Sequence, residues 1–549
     1  MTLPNPRALL PGIVACALAF PAVAQHAHHH QHDNHDVDAA QEIGAMDFNV
    51  SCDASVGDDF DRALGLMHHM MYGQARALFE QILEADPDCA MAHWGIAQSL
   101  FQPLWPDRPD RVTRERGWQH LEQARTLGAG TDREAALVDA TRAFFRHPED
   151  DEYWPRIHRW ADAMRSAHDA HPEDLDIAAL FGLSLIATGL AADREDASTH
   201  FDEAETVLRD VWKRENAHPG AIHYSIHATD VDGRAENALD LVASYGDIAP
   251  EVSHALHMLS HIYVRVGDWP EVVRWNRRSA DAALRDSDEG VASRYFVHAI
   301  DYMVYGYLQQ GRDDDARAAA AEMLDSGRRV DAAFTSAFHA AAIPARLAVE
   351  RRDWAAAAEI ETRSPDHLPW DGTFWPEGLS WYARGLGAVH SGDVDAARAA
   401  ESRLAALAED AHGAGESQFA TYIEVDRQIL AGWIAHAEGD ADAAIDLIRD
   451  AADLEASVQK HPVTPGALAP PNEALGDLLL ALERPEDALT AYREAERIWP
   501  GRFNTLLGAA RAAAATGDEA AAQGYYRRLL EQAGESSREA LAEARDRAG

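Results

Sequence analysis

Lysine and cysteine are scarce in this chain, and the resulting charge balance narrows the choice of partners. The 549 residues include three cysteines and two lysines, Lys213 and Lys460, so almost all of the 49 basic residues are arginine. They face 92 acidic residues, which leaves a net charge of −43. Because so acidic a surface repels polyanions, we predict neither nucleic acid nor an anionic membrane as a partner.

The motifs of familiar enzyme classes are missing too. The chain contains no His-Glu-x-x-His, no Gly-x-Ser-x-Gly, no Walker loop, no Gly-x-Gly-x-x-Gly and no Cys-x-x-Cys. These patterns carry zinc proteolysis, serine hydrolysis, nucleotide binding and thiol redox chemistry. We therefore predict no nucleotide cofactor, and it stays open whether the chain is an enzyme. No apolar run after the N-terminal one is long enough to span a membrane, so we predict no membrane span.

The first 45 residues have the composition of an export segment followed by a leader. Residues 1–24 combine Arg7, an apolar run and the small-residue cleavage site Ala22-Val23-Ala24, which predicts a signal peptide and a periplasmic or secreted protein. A lipoprotein anchored through Cys16 is the alternative. Residues 25–45 are predicted to be a disordered, histidine-rich leader. It either binds transition metals loosely or has no selected role.

Export would carry the two remaining cysteines, Cys52 and Cys89, into an oxidising compartment. An even number of cysteines in such a compartment favours pairing. We therefore predict a Cys52–Cys89 disulfide, with two free buried thiols as the alternative.

A helical repeat pattern fills the chain from about residue 60 onward. Apolar residues recur at intervals of three and four, and Gly-Asp or Asp-Pro pairs mark the turns. The clearest unit has Gly476, Ala488, Tyr492 and Pro500 at the small, aromatic and proline positions of a tetratricopeptide (TPR) helix pair. We predict an all-α fold, a right-handed α-solenoid of TPR-like helix pairs. An N-terminal lobe is expected over residues 46–360, and C-terminal repeats with a capping helix over residues 361–549.

Histidines are concentrated in one part of this solenoid. Six lie within 44 residues, and the pairs His223/His257 and His227/His261 are both 34 positions apart, the length of one TPR unit. Because equivalent helices of neighbouring units lie side by side, this spacing places imidazoles opposite one another in the groove. Imidazole is a common ligand of zinc, copper and iron. The predicted metal-binding residues are His223, His227, His254, His257, His261, His298 and Asp301.

Four longer strings carry a resemblance to a known group, namely Asp86-Pro-Asp-Cys-Ala-Met-Ala-His-Trp-Gly95, His218-Pro-Gly-Ala-Ile-His-Tyr-Ser-Ile-His227, His254-Ala-Leu-His-Met-Leu-Ser-His-Ile262 and Lys460-His-Pro-Val-Thr-Pro-Gly466. The chain resembles exported bacterial TPR proteins from about residue 46 to residue 531, and the resemblance implies a helical repeat fold and export but no particular reaction. It departs from the group at His298-Ala-Ile-Asp301, where a second histidine is expected.

Three functions fit these observations. The first is an exported binding scaffold that holds zinc or copper, with iron as a lesser candidate, and that accepts a protein or peptide in its concave groove. The second is a metal-dependent enzyme built on the solenoid, with an open coordination position for water or substrate. In either of these two, Asp230 and Asp301 are candidate carboxylate ligands or acceptors behind the histidines. The third is a plain protein-interaction module whose histidines are polar core residues.

Overall fold

The computed structural model describes residues 42–150, 152–192, 194–288, 290–324 and 327–548. The predicted signal peptide, the alternative anchor Cys16 and the histidine tract of the leader lie outside the described residues. Within the described residues, no helix has the length and apolar character needed to cross a membrane.

Helices account for nearly all the regular structure of the described residues. A 3₁₀ turn over Ala54–Val56 precedes the first helix, another covers Ala235–Ala238, and the strands β1 (Val291–Ala292) and β2 (Arg329–Val330) pair in parallel. The helices are α1 (Gly57–His68), α2 (Tyr72–Ala85), α3 (Ala90–Ser99), α4 (Arg111–Leu127), α5 (Asp132–Phe145), α6 (Tyr153–Ala170), α7 (Leu175–Ala191), α8 (Arg194–Arg214), α9 (Pro219–Thr229), α10 (Leu239–Ile248), α11 (Ser253–Val266), α12 (Trp269–Arg285), α13 (Arg294–Gln309), α14 (Asp313–Leu324), α15 (Phe334–Val349), α16 (Trp354–Ala358), α17 (Phe374–His390), α18 (Val394–Gly413), α19 (Ser417–Ala437), α20 (Ala441–Glu455), α21 (Pro471–Ala481), α22 (Pro485–Ile498), α23 (Phe503–Thr516), α24 (Glu519–Ala533) and α25 (Ala540–Arg547).

The turns inside several helix pairs follow from one dipeptide, Gly-Asp. The glycine ends the first helix in the left-handed region, which costs a residue without a Cβ little, and the aspartate caps the second helix by accepting a backbone N–H three residues later. Gly392 and Gly439 have φ of 86° and 89°, and Asp393 and Asp440 accept from the backbone of Ala396 and Ala443 at 3.0 and 3.1 Å. The predicted all-α, TPR-like repeat fold is confirmed.

Close helix contact at small residues is clearest around Tyr492. Its buried ring lies between Gly476 of α21 and Gly508 of α23, and a Cβ added to either glycine would come within 2.7 or 2.2 Å of a ring carbon. Glycine at both positions therefore lets α21 and α23 approach α22, as the repeat pattern predicts.

The described residues form one compact unit. Two large apolar clusters lie within it, one drawn from residues between Phe48 and Ala282 and one from residues between Val273 and Ala544. The predicted lobe boundary after residue 360 stays a prediction. Near the start of the described residues, Cys52 and Cys89 form a disulfide.

Two irregular segments cross the helices that carry the histidines. In the first, at residues 100–110, the carboxylate of Asp107 accepts from the backbone N–H of Phe334 at 2.7 Å and from Thr335 Oγ1 at 2.8 Å. In the second, at residues 456–470, the carbonyls of Pro462 and Gly466 accept from Tyr302 at 2.9 Å and from Arg346 at 2.9 Å. Both segments are thus tied to helices α13 and α15, far from them in the chain.

Candidate metal centre

The predicted histidines lie on α9, α11 and α13, which are first helices of consecutive repeats. Within a helix, residues four apart share a face, so the rings of His223 and His227 have centroids 5.1 Å apart and those of His257 and His261 4.8 Å apart. Between helices, His227 and His261 stand 5.6 Å apart. The interval of 34 residues therefore does bring that pair together.

The other pair with this spacing, His223 and His257, does not meet, because each ring packs against a different histidine. His223 packs against His254, with centroids 5.1 Å apart, and His257 packs against His298 at 4.1 Å. This change of partner follows from the three-residue step between His254 and His257, which places either ring within reach of the neighbouring helix. Two trios result, and within each trio one ligand atom per residue lies within 4.8 Å of the others. They are His223, His227 and His254, and His257, His261 and His298.

The first trio has ring nitrogens without hydrogen-bond partners. His223 donates through Nδ1 to the carbonyl of His68 at 2.8 Å, so its Nε2 keeps a lone pair. That Nε2, and both ring nitrogens of His227 and His254, are buried and have no partner among the described residues. A buried polar atom left without a partner costs about 1–3 kcal/mol. Five such atoms in one place call for a bound species, either a metal ion or water.

In the second trio, two lone pairs face each other. His257 Nδ1 donates to Asn276 Oδ1 at 2.7 Å, and Asn276 in turn donates through Nδ2 to the carbonyl of Val272, which fixes its amide orientation. His261 Nδ1 donates to Asp230 Oδ2 at 2.7 Å. Both neutral rings therefore carry their proton on Nδ1, and their two Nε2 atoms lie 3.0 Å apart.

A bound cation would relieve the contact between these two lone pairs. Two nitrogens bound at about 2.0–2.1 Å to a tetrahedral ion lie roughly 3.3–3.4 Å apart, only a few tenths of an ångström more than the observed separation. A shared proton is the alternative, but it requires a charged imidazole in a fully buried place. Burial, and after it the neighbouring histidines, lower the pKa of His257 and of His298 well below the usual value.

The pKa values of the other trio histidines are lowered as well. Burial, reinforced by the other imidazoles, lowers the pKa of His223, His227 and His254 well below the usual value, and burial also lowers the pKa of His261 despite Asp230. Neutral imidazoles keep the lone pairs that a metal ion needs. At neutral pH the cluster therefore consists of uncharged imidazoles with their lone pairs available.

Carboxylates stand behind the rings. Asp230 accepts from His261, from Arg265 Nε at 2.9 Å and from Lys460 Nζ at 2.9 Å. Burial alone would raise the pKa of Asp230, but Lys460, Arg265 and His261 outweigh it and hold that pKa well below its usual range. Asp230 therefore stays ionised and orients His261, which is the arrangement that commonly supports a metal-bound histidine.

Asp301 reaches the second trio only through another residue, His339. Its carboxylate accepts from His339 Nδ1 at 3.1 Å and from Arg346 Nε at 2.7 Å, and His339 Nε2 lies 2.8 Å from His298 Nδ1. The structure thus adds His339 to the cluster and places Asp301 behind it. His339 lies 41 positions after His298, off the 34-residue interval, so the repeat spacing does not reveal it.

A pocket of about 280 Å³ adjoins both trios. Four of the six histidines line it, together with residues of the two irregular segments, notably Trp105 and Pro462. Trp105 stacks near His254 and His298, with ring centroids 5.2 and 5.8 Å away. The apolar cover limits the enclosed space beside the rings to about one water molecule.

A neighbouring group of the same residue types has partners for most of its ring nitrogens. His68 bonds through Nδ1 with the hydroxyl of Tyr224 at 3.1 Å and through Nε2 with Asp176 at 3.3 Å. His218 Nε2 lies 3.3 Å from the same carboxylate oxygen, and its Nδ1 caps α9 by accepting from the backbone of Ala221. Three of these four ring nitrogens thus have hydrogen-bond partners within the protein, in contrast to those of the first trio, where one of six does.

Known proteins give only distant likenesses. No protein-family model matches the chain, and no curated protein matches it. Among solved structures, the human IFIT1 dimer with m7Gppp-AAAA is 12% identical with a TM-score of 0.36, over 80% of this chain and 90% of that one. The APC/C hetero-tetramer Cut9–Hcn1 is 12% identical with a TM-score of 0.32, over 90% of each chain. Likenesses this weak carry no argument about ligand or partner.

Proposed function

We propose that this chain is an exported, TPR-like repeat scaffold that holds transition-metal ions in its histidine cluster. The observation that carries the proposal is the pair of facing lone pairs on His257 and His261, whose Nε2 atoms lie 3.0 Å apart. The partnerless nitrogens of His223, His227 and His254 support it independently. We propose one ion at each trio, hence two ions per chain.

The donor set favours zinc or copper. Every proposed ligand is a neutral imidazole, which suits both metals. Iron sites commonly add a carboxylate, but the carboxylates of Asp230 and Asp301 are each taken up by hydrogen bonds to a histidine and an arginine. Iron is therefore the lesser candidate.

Location follows from the sequence. The segment over residues 1–24 and the resemblance to exported bacterial TPR proteins support a periplasmic or secreted protein, with a lipoprotein through Cys16 as the alternative. Recovery from the periplasm with Gln25 as the first residue would support export, and retention of residues 1–24 in the cytoplasm would contradict it.

Metal binding is tested on protein that lacks residues 25–36 and carries no affinity tag, because that histidine tract binds metal by itself. Isothermal titration with zinc chloride and with copper sulfate should give two ions per chain. Stoichiometry should be checked by elemental analysis after dialysis. If neither metal binds at micromolar concentration, the histidines are polar core residues and the chain is an interaction module.

Single substitutions locate the ions. His227→Ala should weaken metal binding at the first trio and His257→Ala at the second, each by at least about 10-fold. Loss of a residue that merely hydrogen-bonds to a metal ligand already lowers metal affinity about 10–100-fold, and loss of the ligand itself should cost no less. His412→Ala, on the exposed end of α18, is the matched control and should bind as the parent does. Far-ultraviolet circular dichroism of the metal-free variants separates lost ligation from lost folding. Unchanged affinity in folded His227→Ala and His257→Ala would refute the site.

A metal-dependent enzyme is the second candidate, and the pocket of about 280 Å³ beside the trios favours it. Three protein ligands would leave a fourth position on zinc for water or substrate, and this pocket is lined by histidines of both trios. Azide should then bind to the copper-loaded protein and change its visible absorption. An unchanged spectrum in millimolar azide would favour the scaffold over the enzyme.

A further inference from the structure

A second and larger pocket lies beyond the irregular segment at residues 456–470. Its walls enclose about 850 Å³, part of which is open to solvent. Aromatic rings form much of its wall, namely Phe338, Trp375, Tyr422 and Trp499. It does not share the histidine trios, and nothing in the proposed metal function accounts for it.

The basic side chains that line this pocket are paired with buried carboxylates outside it. Arg265 and Lys460 line the pocket, but both bind the buried carboxylate of Asp230 at 2.9 Å. Arg346 bonds through Nε with Asp301 and through its other nitrogens with Thr464 and Gly466. These groups are therefore committed to the protein.

Unlike these basic side chains, the carboxyl of Asp426 is not paired with another group in the part of the protein that the structure describes. Asp426 lines the pocket, is 8% exposed, and makes no hydrogen bond or ion pair with the described residues. Burial, and after it the nearby Glu455, raise the pKa of Asp426 well above its usual range, as expected for a carboxyl that lacks a positive partner. Glu455 lines the same pocket.

A second partnerless group is a donor. The indole Nε1 of Trp499 is buried and has no acceptor among the described residues, although Trp499 lines the pocket and is 7% exposed. Buried indole N–H groups usually find a partner. A ligand in this pocket would thus meet an acidic group at Asp426, a donor at Trp499 and aromatic faces of the wall.

We propose that this pocket binds a small aromatic ammonium compound, with its ammonium at Asp426 and an oxygen acceptor at Trp499 Nε1. Aromatic faces attract organic cations, and do so more strongly where water is excluded. The net charge of −43 also favours approach of a cation over that of an anion.

Four related probes test the charge and the polar ends by isothermal titration: tyramine, phenethylamine, 4-ethylphenol and 3-(4-hydroxyphenyl)propionate. We expect tyramine to bind most tightly, phenethylamine less tightly because it lacks the hydroxyl oxygen, and the propionate at least 10-fold more weakly. Propionate binding equal to or tighter than tyramine binding, or no tyramine binding at millimolar concentration, would overturn the proposal.

Two variants test which protein group binds each end of the ligand. Asp426→Asn should weaken tyramine binding at least 10-fold and leave 4-ethylphenol almost unchanged, while the exposed Asp453→Asn on α20 should change neither. Trp499→Phe keeps an aromatic face but removes the donor, so it should abolish the advantage of tyramine over phenethylamine. If folded Asp426→Asn binds tyramine as the parent does, the ammonium does not sit at Asp426 and the proposal is wrong.

Discussion

Unfolding of the metal-free protein at mildly acidic pH should take up several protons. Burial lowers the pKa of five trio histidines well below the usual value, and lowers that of His69 to about 4 and of His461 to about 3. An unfolded imidazole has a pKa of about 6.5, so at pH 5.5 it is about 90% protonated. The native state holds these rings neutral, and unfolding releases them to protonation.

The magnitude follows by counting. Seven imidazoles that each gain about 0.9 proton give an uptake of roughly six protons per chain. Asp426 acts in the opposite direction, because its raised pKa keeps it protonated in the native state, and it would release about one proton. Other buried carboxyls with raised pKa values, Asp331 and Glu350, act in the same direction as Asp426. We expect a net uptake of about three to five protons at pH 5.5 and far less near pH 8, where imidazoles are neutral in both states.

The sign sets how stability depends on pH. Because the unfolded state binds more protons, the free energy of unfolding falls as the pH falls below about 6.5. Each proton contributes about 1.4 kcal/mol per pH unit, so three to five protons remove roughly 4–7 kcal/mol per unit. That is comparable with the whole stability of a typical domain. Metal-free protein should therefore unfold near pH 5, well before ordinary carboxylates are protonated.

Proton uptake is measured directly by mixing chelator-treated protein with urea in weakly buffered solution that contains a pH indicator. His227→Gln and His257→Gln should each lower the uptake at pH 5.5 by about 0.9 proton, whereas the exposed His412→Gln should not change it. A net uptake below one proton, unaffected by either trio variant, would show that these rings are solvated in the native state. The reasoning about the cluster would then fail.

Three further outcomes are expected. Deleting residues 25–36 should leave the melting temperature in metal-free buffer unchanged, since no apolar face lies there; a drop of several degrees would contradict this. Replacing both Cys52 and Cys89 by serine should cost about 3–4 kcal/mol, because the bond spans 37 residues, and the unfolded, unreduced parent should show no thiol at these positions on titration. Gly476→Trp should destabilise the C-terminal repeats by several kcal/mol through overpacking against Tyr492. Gly524→Trp, where nothing lies within 4 Å of an added Cβ, is its control, and equal melting curves for the two would mean that the packing of α21 on α22 is misread.

The repeat architecture was predictable because it rests on local rules with a fixed period. The Gly-Asp turn at Gly439-Asp440 combines a left-handed glycine with an N-cap, and both functions are properties of the residue types themselves. Gly476 and Tyr492 likewise follow from the small and aromatic positions of one helix pair. The contact between His227 and His261 needed only the 34-residue interval and the stacking of neighbouring units.

The chemistry of the site was decided by tertiary contacts that carry no period. Lys460 reaches Asp230 across 230 positions, and Trp105 reaches His254 and His298 from an irregular segment. Which ring nitrogen carries the proton depends on acceptors such as Asn276, on a second helix. Periodicity alone therefore determined which helices present histidines to one another. Only the folded chain decided which lone pairs remain open, because burial and hydrogen bonding are set by segments that the repeat rule does not govern.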